Sequence, residues 1–223
     1  MPAEEGGFIE NVDGKPLITR IKVHYNVKVP RWWMRSSLAA LALVLAVAPA
    51  AAAEEALWAL LKAGGQVLVM RHARTDPGVG DPPGFRLEDC ATQRNLSAAG
   101  REEARLIGLA LRARGVPIGR ILSSRWCRCL ETARLAFGKA EPWPALDSMF
   151  HDRSREPQQT AQVRARAGER PADGNLVLVT HGANILPLTG IHPAQGEVIV
   201  LTPEGNGTFR VAGRLPPSAL TAR

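Results

Sequence analysis

The sequence has no Cys-x-x-Cys pair and no cysteine spaced with histidine as metal ligands are, so nothing in it argues for a bound metal. No apolar run reaches the roughly 20 residues that cross a bilayer. The most apolar stretch, 38–53, is Ala-rich and interrupted by Pro49. Lysine is scarce beside arginine, and the basic residues are scattered rather than run together, which excludes a dedicated nucleic-acid stripe despite a formal charge of +7. No internal repeat is present, which sets aside solenoids and propellers.

What remains is an ordinary globular composition, 45% hydrophobic and 22% charged, in 223 residues, enough for one core. The segment 34–55, MRSSLAALALVLAVAPAAAAEE, has a basic start, an apolar run from Leu38 to Ala48 and small residues before a cut after Ala53. It reads as a signal peptide, 34–53. Residues 1–33 are too long for an n-region, so they form a doubtful upstream extension and Met34 is the expected true start. Residues 54–223 are then an exported domain, periplasmic or secreted, with no stable span after cleavage. They carry 22 Lys and Arg against 17 Asp and Glu, and an anionic substrate accounts for some of those arginines.

Strand-like runs lie at 66–70, 120–124, 175–180, 197–202 and 209–215, with helical patterns between most of them. The clearest helix has Ser97 as N-cap, an apolar stripe through Ala104, Ile107, Ala110 and Leu111, and Gly115 at its end. Gly108 within it points to a close approach to the sheet. Further helices follow SSRW, span about 156–168, and follow His181. The alternation predicts an α/β fold, a three-layer α/β/α sandwich on a mostly parallel sheet. The last two runs form a hairpin at one edge. GDPPG, 80–84, reads as a surface loop beside the first candidate site.

Ligands in such sheets bind beyond the carboxyl ends of the strands. Two strands end there in histidine: VLVM runs into Arg71-His72, and NLVLVT into His181. A third, RILSS, leads into a helix that carries Arg128 in its opening turn, where free N–H groups also favour an anion. Arg71, His72, Arg128 and His181 can therefore converge on one phosphoryl group.

VLVMRHART, SSRWCRCLETA and LVTH, with QRNLSAAGREEA between the first two, resemble in order and spacing the motifs of the histidine phosphatase superfamily, the phosphoglycerate mutase-like and acid phosphatase group. The resemblance covers most of 66–202. Ala73 stands where Gly is common and Arg125 where Pro is common. The resemblance implies a metal-independent phosphatase without cofactor, acting on a small phosphorylated substrate. His72 would form a phosphohistidine, and Arg71, Arg128 and His181 would bind the phosphate. For the general acid, Asp147 is the choice because it follows a short strand-like PAL, with Asp152 and Glu156 as alternatives, or none. The position after His181, acidic in some relatives, is Gly182.

The leading reading is hydrolysis of phosphomonoesters, with an envelope sugar phosphate suiting the compartment. A phosphohistidine protein phosphatase and a non-catalytic phosphate-ligand-binding member are the alternatives. His151 and His192 read as surface or loop residues, His151 at the pocket mouth. His24 falls in the leader. Trp58, Trp126 and Trp143 read as packing residues, Trp126 also as a wall of the phosphate site. In an oxidising compartment Cys90 pairs with Cys127 or Cys129, Cys127 preferred, because the latter two point to different sides of one helix.

Overall fold

The computed structural model describes residues 10–12, 15–17, 48–78 and 80–221. Met34, His24 and positions 34–47 of the expected signal peptide lie outside them. An N-terminal unit holds a short antiparallel pair, β1 (Glu10–Val12) and β2 (Lys15–Leu17). The second unit, from Pro49 onward, carries everything that follows.

Helix α1 (Ala48–Ala63) precedes β3 (Val67–Arg71), α2 (Ala98–Ala113), β4 (Ile118–Ser123) and α3 (Cys127–Phe137). Then come the two-residue β5 (Glu141–Pro142), α4 (Glu156–Ala167), β6 (Asn175–Thr180), α5 (Gly182–Thr189), the hairpin β7 (Val198–Gly205) and β8 (Thr208–Leu215), and α6 (Pro217–Thr221). The sheet order is β5-β4-β6-β3-β7-β8. The first four strands are parallel; β7 runs antiparallel to β3 and β8 antiparallel to β7. This is the mostly parallel α/β sheet that the pattern of runs predicts, with the hairpin at one edge. The hairpin strands extend further into PEGNGT than the apolar runs do, turning at Asn206-Gly207.

Both faces of the central strands are apolar, and the period of two divides them between two layers. Leu68 and Met70 of β3, with Val177 and Val179 of β6, pack under α1, α2, α3 and α6 through Trp58, Leu61, Ile107, Leu111, Ala133 and Leu220. Val67, Val69, Leu176 and Leu178 face the other way, against Val163 and Ala167 of α4 and Ile185 and Leu188 of α5.

Two local expectations change. PAL at 144–146 is a 3-10 turn rather than a strand, since Pro144 sits in its first turn and fixes φ there. Gly108 does mark a close approach, but to a neighbouring helix. A Cβ there would lie 1.9 Å from the Ala136 carbonyl oxygen near the end of α3. Arg112 reaches the same carbonyl at 2.7 Å. Gly108→Ala is therefore expected to cost about 3 kcal/mol by forcing α2 off α3, read as a lowered urea midpoint. An unchanged midpoint would show that the helix pair yields freely.

Candidate active site

Three neighbouring parallel strands, in the order β4-β6-β3, end on the same edge. Each delivers one motif, and main-chain bonds tie the motifs together just beyond the sheet: His72 N–H donates to Thr180 O at 3.0 Å and Ser124 N–H to Val179 O at 2.9 Å. A cleft of about 460 Å³ opens above this edge. Arg71, His72, Arg128 and His181 all line it. The His72 and His181 rings stand edge to face with centroids 5.4 Å apart.

His72 is buried, and its Nδ1 lies 2.8 Å from the Ala73 carbonyl oxygen. A carbonyl only accepts, so Nδ1 carries the proton and Nε2 keeps its lone pair. Burial, and then the positive charge of Arg128, hold the His72 pKa down at about 3. His181 lies well below the ordinary histidine value for the same two leading reasons. Its Nδ1 accepts from Arg128 Nη2 at 3.4 Å, which leaves Nε2–H to donate to Ser124 Oγ at 2.9 Å.

Unfolded imidazoles take up protons below about pH 6.5, whereas these two stay neutral in the fold. The unfolded state then binds more protons, so stability falls as pH drops from about 6.5 toward His72's folded value. Denaturation midpoints taken from pH 6.5 to 5, above the range where carboxylates titrate, are expected to decline. The slope is roughly 1 kcal/mol per pH unit for each buried ring, and His72→Gln should remove one share. A flat profile would mean that these rings are charged in the fold.

Arginine surrounds the histidines. Arg71 reaches the Pro193 carbonyl through Nη1 at 2.8 Å, and its buried Nε has no partner, as is true of Nε on Arg94 and Arg128. Burial and mutual repulsion lower the pKa of Arg71 and Arg94. Gly182 lies against this cluster: a Cβ there would sit in ordinary contact with the Arg71 guanidinium carbon, at 3.4 Å. The start of α3 is less open to an anion than its sequence implies. Cys127 N–H donates to Gln93 Oε1 at 3.0 Å, so α3 contributes chiefly the Arg128 side chain.

Asp81 and Arg94 went unrecognised as site residues in the sequence, although both line the cleft. The Asp81 carboxylate accepts from Arg128 Nη1 at 2.6 Å and Nη2 at 3.2 Å, from Trp126 Nε1 at 2.9 Å and from the Arg94 N–H at 3.1 Å. Burial works to raise its pKa, but the Arg128 ion pair wins and holds it below the usual carboxylate value. Asp-Pro-Pro-Gly is a turn signal, and only the charge beside it hints at a partner. For Arg94, the signal available was its place in QRNLS, between the first two motifs.

Asp147, the residue chosen as general acid, is not brought into the cleft. It is fully buried, and both of its oxygens are taken by Arg125: Oδ1 by the main-chain N–H at 2.9 Å, Oδ2 by Nε at 2.8 Å and Nη2 at 2.6 Å. The departure from proline at Arg125 is thus what immobilises Asp147. Asp152 caps a turn through Ser154, and Glu156 pairs with Arg153. Neither lines the cleft.

His151 accepts the Asp81 N–H at 3.4 Å and lies between Phe85 and Phe150, tilted against the first and edge to face with the second, while His192 borders the cleft from an exposed position. Trp126 packs edge-on against His181 at 5.7 Å. Cys90 is joined to Cys127, which ties the loop bearing Asp81 and Arg94 to the start of α3. Cys129 is free and buried, and burial pushes its thiol up to about 12. Among the described residues no cluster of three or more His, Cys, Asp or Glu could hold a metal, and no helix is long and apolar enough to cross a membrane.

The sheet order, with this cleft at its carboxyl edge, defines a phosphoglycerate mutase-like α/β protein. No family model matches the chain, and no curated protein is similar to it in sequence. Among solved structures it is similar to the protein histidine phosphatase SixA complexed with tungstate, with 19% identity over 70% of this chain and 99% of that one and a TM-score of 0.50. A phosphoserine phosphatase mutant from Entamoeba histolytica in complex with phosphoserine gives 13% identity, 70% and 98% coverage and a TM-score of 0.51. The same Entamoeba histolytica phosphatase with 3-phosphoglyceric acid gives 14%, 70% and 98%, and 0.50. The chain therefore shares the fold of the histidine phosphatase superfamily.

Proposed function

We propose that this chain is an exported histidine phosphatase that hydrolyses phosphomonoesters through a phosphohistidine on His72. The observation that carries the reading is the Nδ1–H to Ala73 bond. It presents an unprotonated, uncommitted Nε2 to a cleft lined by Arg71, Arg94 and Arg128. Two motifs from strands far apart in sequence and three arginines are a costly arrangement for any ligand other than a compact anion.

In the first step the Nε2 lone pair attacks phosphorus and the bond to the ester oxygen breaks, its electron pair leaving with that oxygen. In the second, water attacks phosphorus, the N–P bond breaks, and inorganic phosphate and a proton are released. Arg71, Arg94 and Arg128, with His181 beside them, hold the equatorial oxygens and match the charge that grows on them. The Cys90–Cys127 disulfide suits an oxidising compartment, which supports export, and the small residues before Ala53 support a mature start after it. N-terminal sequencing of the exported protein tests that start. A burst of p-nitrophenol from p-nitrophenyl phosphate, unaffected by chelators, with an acid-labile and base-stable phosphoenzyme, tests the chemistry. A steady phase with no trapped phosphoenzyme would refute it.

A further inference from the structure

Four large apolar side chains stand exposed among the described residues, and two of them border this cleft: Phe150 at 52% exposure and Leu186 at 40%. They come from different parts of the chain, Phe150 from the segment after Asp147 and Leu186 from α5. Apolar surface left open beside a cationic pocket marks a place for the apolar part of a ligand. The Phe150 ring is also braced. It meets His151 edge to face at 5.1 Å, His151 meets Phe85 at 5.8 Å, and Phe85 meets Trp126 at 5.8 Å, so a row of rings runs from beside His181 to the mouth.

The leaving group of a phosphomonoester also needs a proton. Asp81 is the sole carboxylate among the residues that line the cleft, and both its oxygens are occupied by Arg128 and Trp126. Asp147 is clamped by Arg125. His72 is the nucleophile, and His181 gives its Nε2–H to Ser124. His192 stands exposed at the rim. An aliphatic alkoxide, whose conjugate acid has a pKa close to water's value of about 15.7, leaves poorly without an acid. A phenolate, with a conjugate-acid pKa of about 10, needs far less help.

We infer that the cleft is built for aryl phosphomonoesters, with the phosphate among Arg71, Arg94 and Arg128 and the ring against Phe150 and Leu186. This rests on the phosphatase reading above. His72 Nε2 bonds to phosphorus as the aryl oxygen departs with its electron pair, and solvent protonates the phenolate. The ring belongs either to a small aryl phosphate or to a phosphotyrosyl side chain.

The test compares kcat/KM of the full chain for phenyl phosphate, benzyl phosphate, glycerol phosphate, phosphotyrosine and a phosphotyrosyl peptide. Benzyl phosphate keeps the ring but has an alkoxide leaving group. It is expected to share the KM of phenyl phosphate while its kcat/KM falls by about 10²-fold, the size of a missing general acid. Phe150→Ala should reduce the phenyl-to-glycerol preference by about tenfold. A peptide preferred over free phosphotyrosine assigns the ring to protein substrates, and the reverse assigns it to small ones. Equal rates for glycerol and phenyl phosphates would overturn the inference, as would a His192→Gln variant that slows benzyl but not phenyl phosphate. A chain without a His72 phosphoenzyme would instead sink the underlying phosphatase reading.

Discussion

His72→Ala is expected to lower kcat/KM for p-nitrophenyl phosphate by about 10⁴-fold or more, the size of effect seen when a covalent nucleophile is removed. The reason is geometric. Of the other imidazoles that line the cleft, His192 stands exposed at the rim, and His181 has its Nδ1 occupied by Arg128 and its Nε2 proton committed to Ser124. His181 cannot take over the attack without releasing Arg128 from Nδ1 or giving up the Nε2 proton held at Ser124. The free thiol of Cys129 is buried and its pKa is raised to about 12, so it supplies no thiolate. The phosphoenzyme trapped on denaturing gels should vanish with the activity, while tungstate still binds through the arginines. Residual turnover within tenfold of the parent would place the nucleophile elsewhere.

The second large effect falls on folding. Asp81→Ala strands the Arg128 guanidinium, whose side chain is only 4% exposed, and also leaves Trp126 Nε1 without its acceptor. Removing one partner of a buried ion pair costs about 3–5 kcal/mol, because the remaining charge stays desolvated. Asp81→Asn keeps one acceptor oxygen, enough for Trp126 Nε1 or the Arg94 N–H but not both, and loses the charge, so a loss smaller than that of Asp81→Ala is expected. An anion in the cleft can replace the missing charge. Tungstate should therefore raise the melting temperature of Asp81→Ala by more than it raises that of the parent. Equal stability of Asp81→Ala and the parent would show that the pair contributes nothing.

The legible part of the site has a common cause. Arg71, His72 and His181 each stand at or directly after the end of an apolar strand, and Arg128 lies in the opening turn of the helix after another. Chain direction alone carries such residues to the carboxyl edge of a parallel sheet. Asp81 and Arg94 sit instead on a long loop whose course depends on the Cys90–Cys127 bond and on Gln93, which binds both the Arg86 and Leu87 carbonyls and Cys127. No local periodicity reports where such a loop points its charges. Helix α1 escaped notice because its small-residue opening overlaps the stretch that reads as a signal, although Leu57, Trp58 and Leu61 further along it are core residues.

The sequence by itself determined the layered α/β sheet and the four cationic and imidazole groups at its edge. Strand burial on both faces and strand direction are written in local apolar pattern. Only the tertiary structure decided which carboxylate meets the site. That choice depends on which guanidinium each acid finds: Asp147 meets Arg125 and is sealed away, while Asp81 meets Arg128 and enters the cleft. Ion pairing between distant segments follows the folded distance, and spacing along the chain carries no record of it.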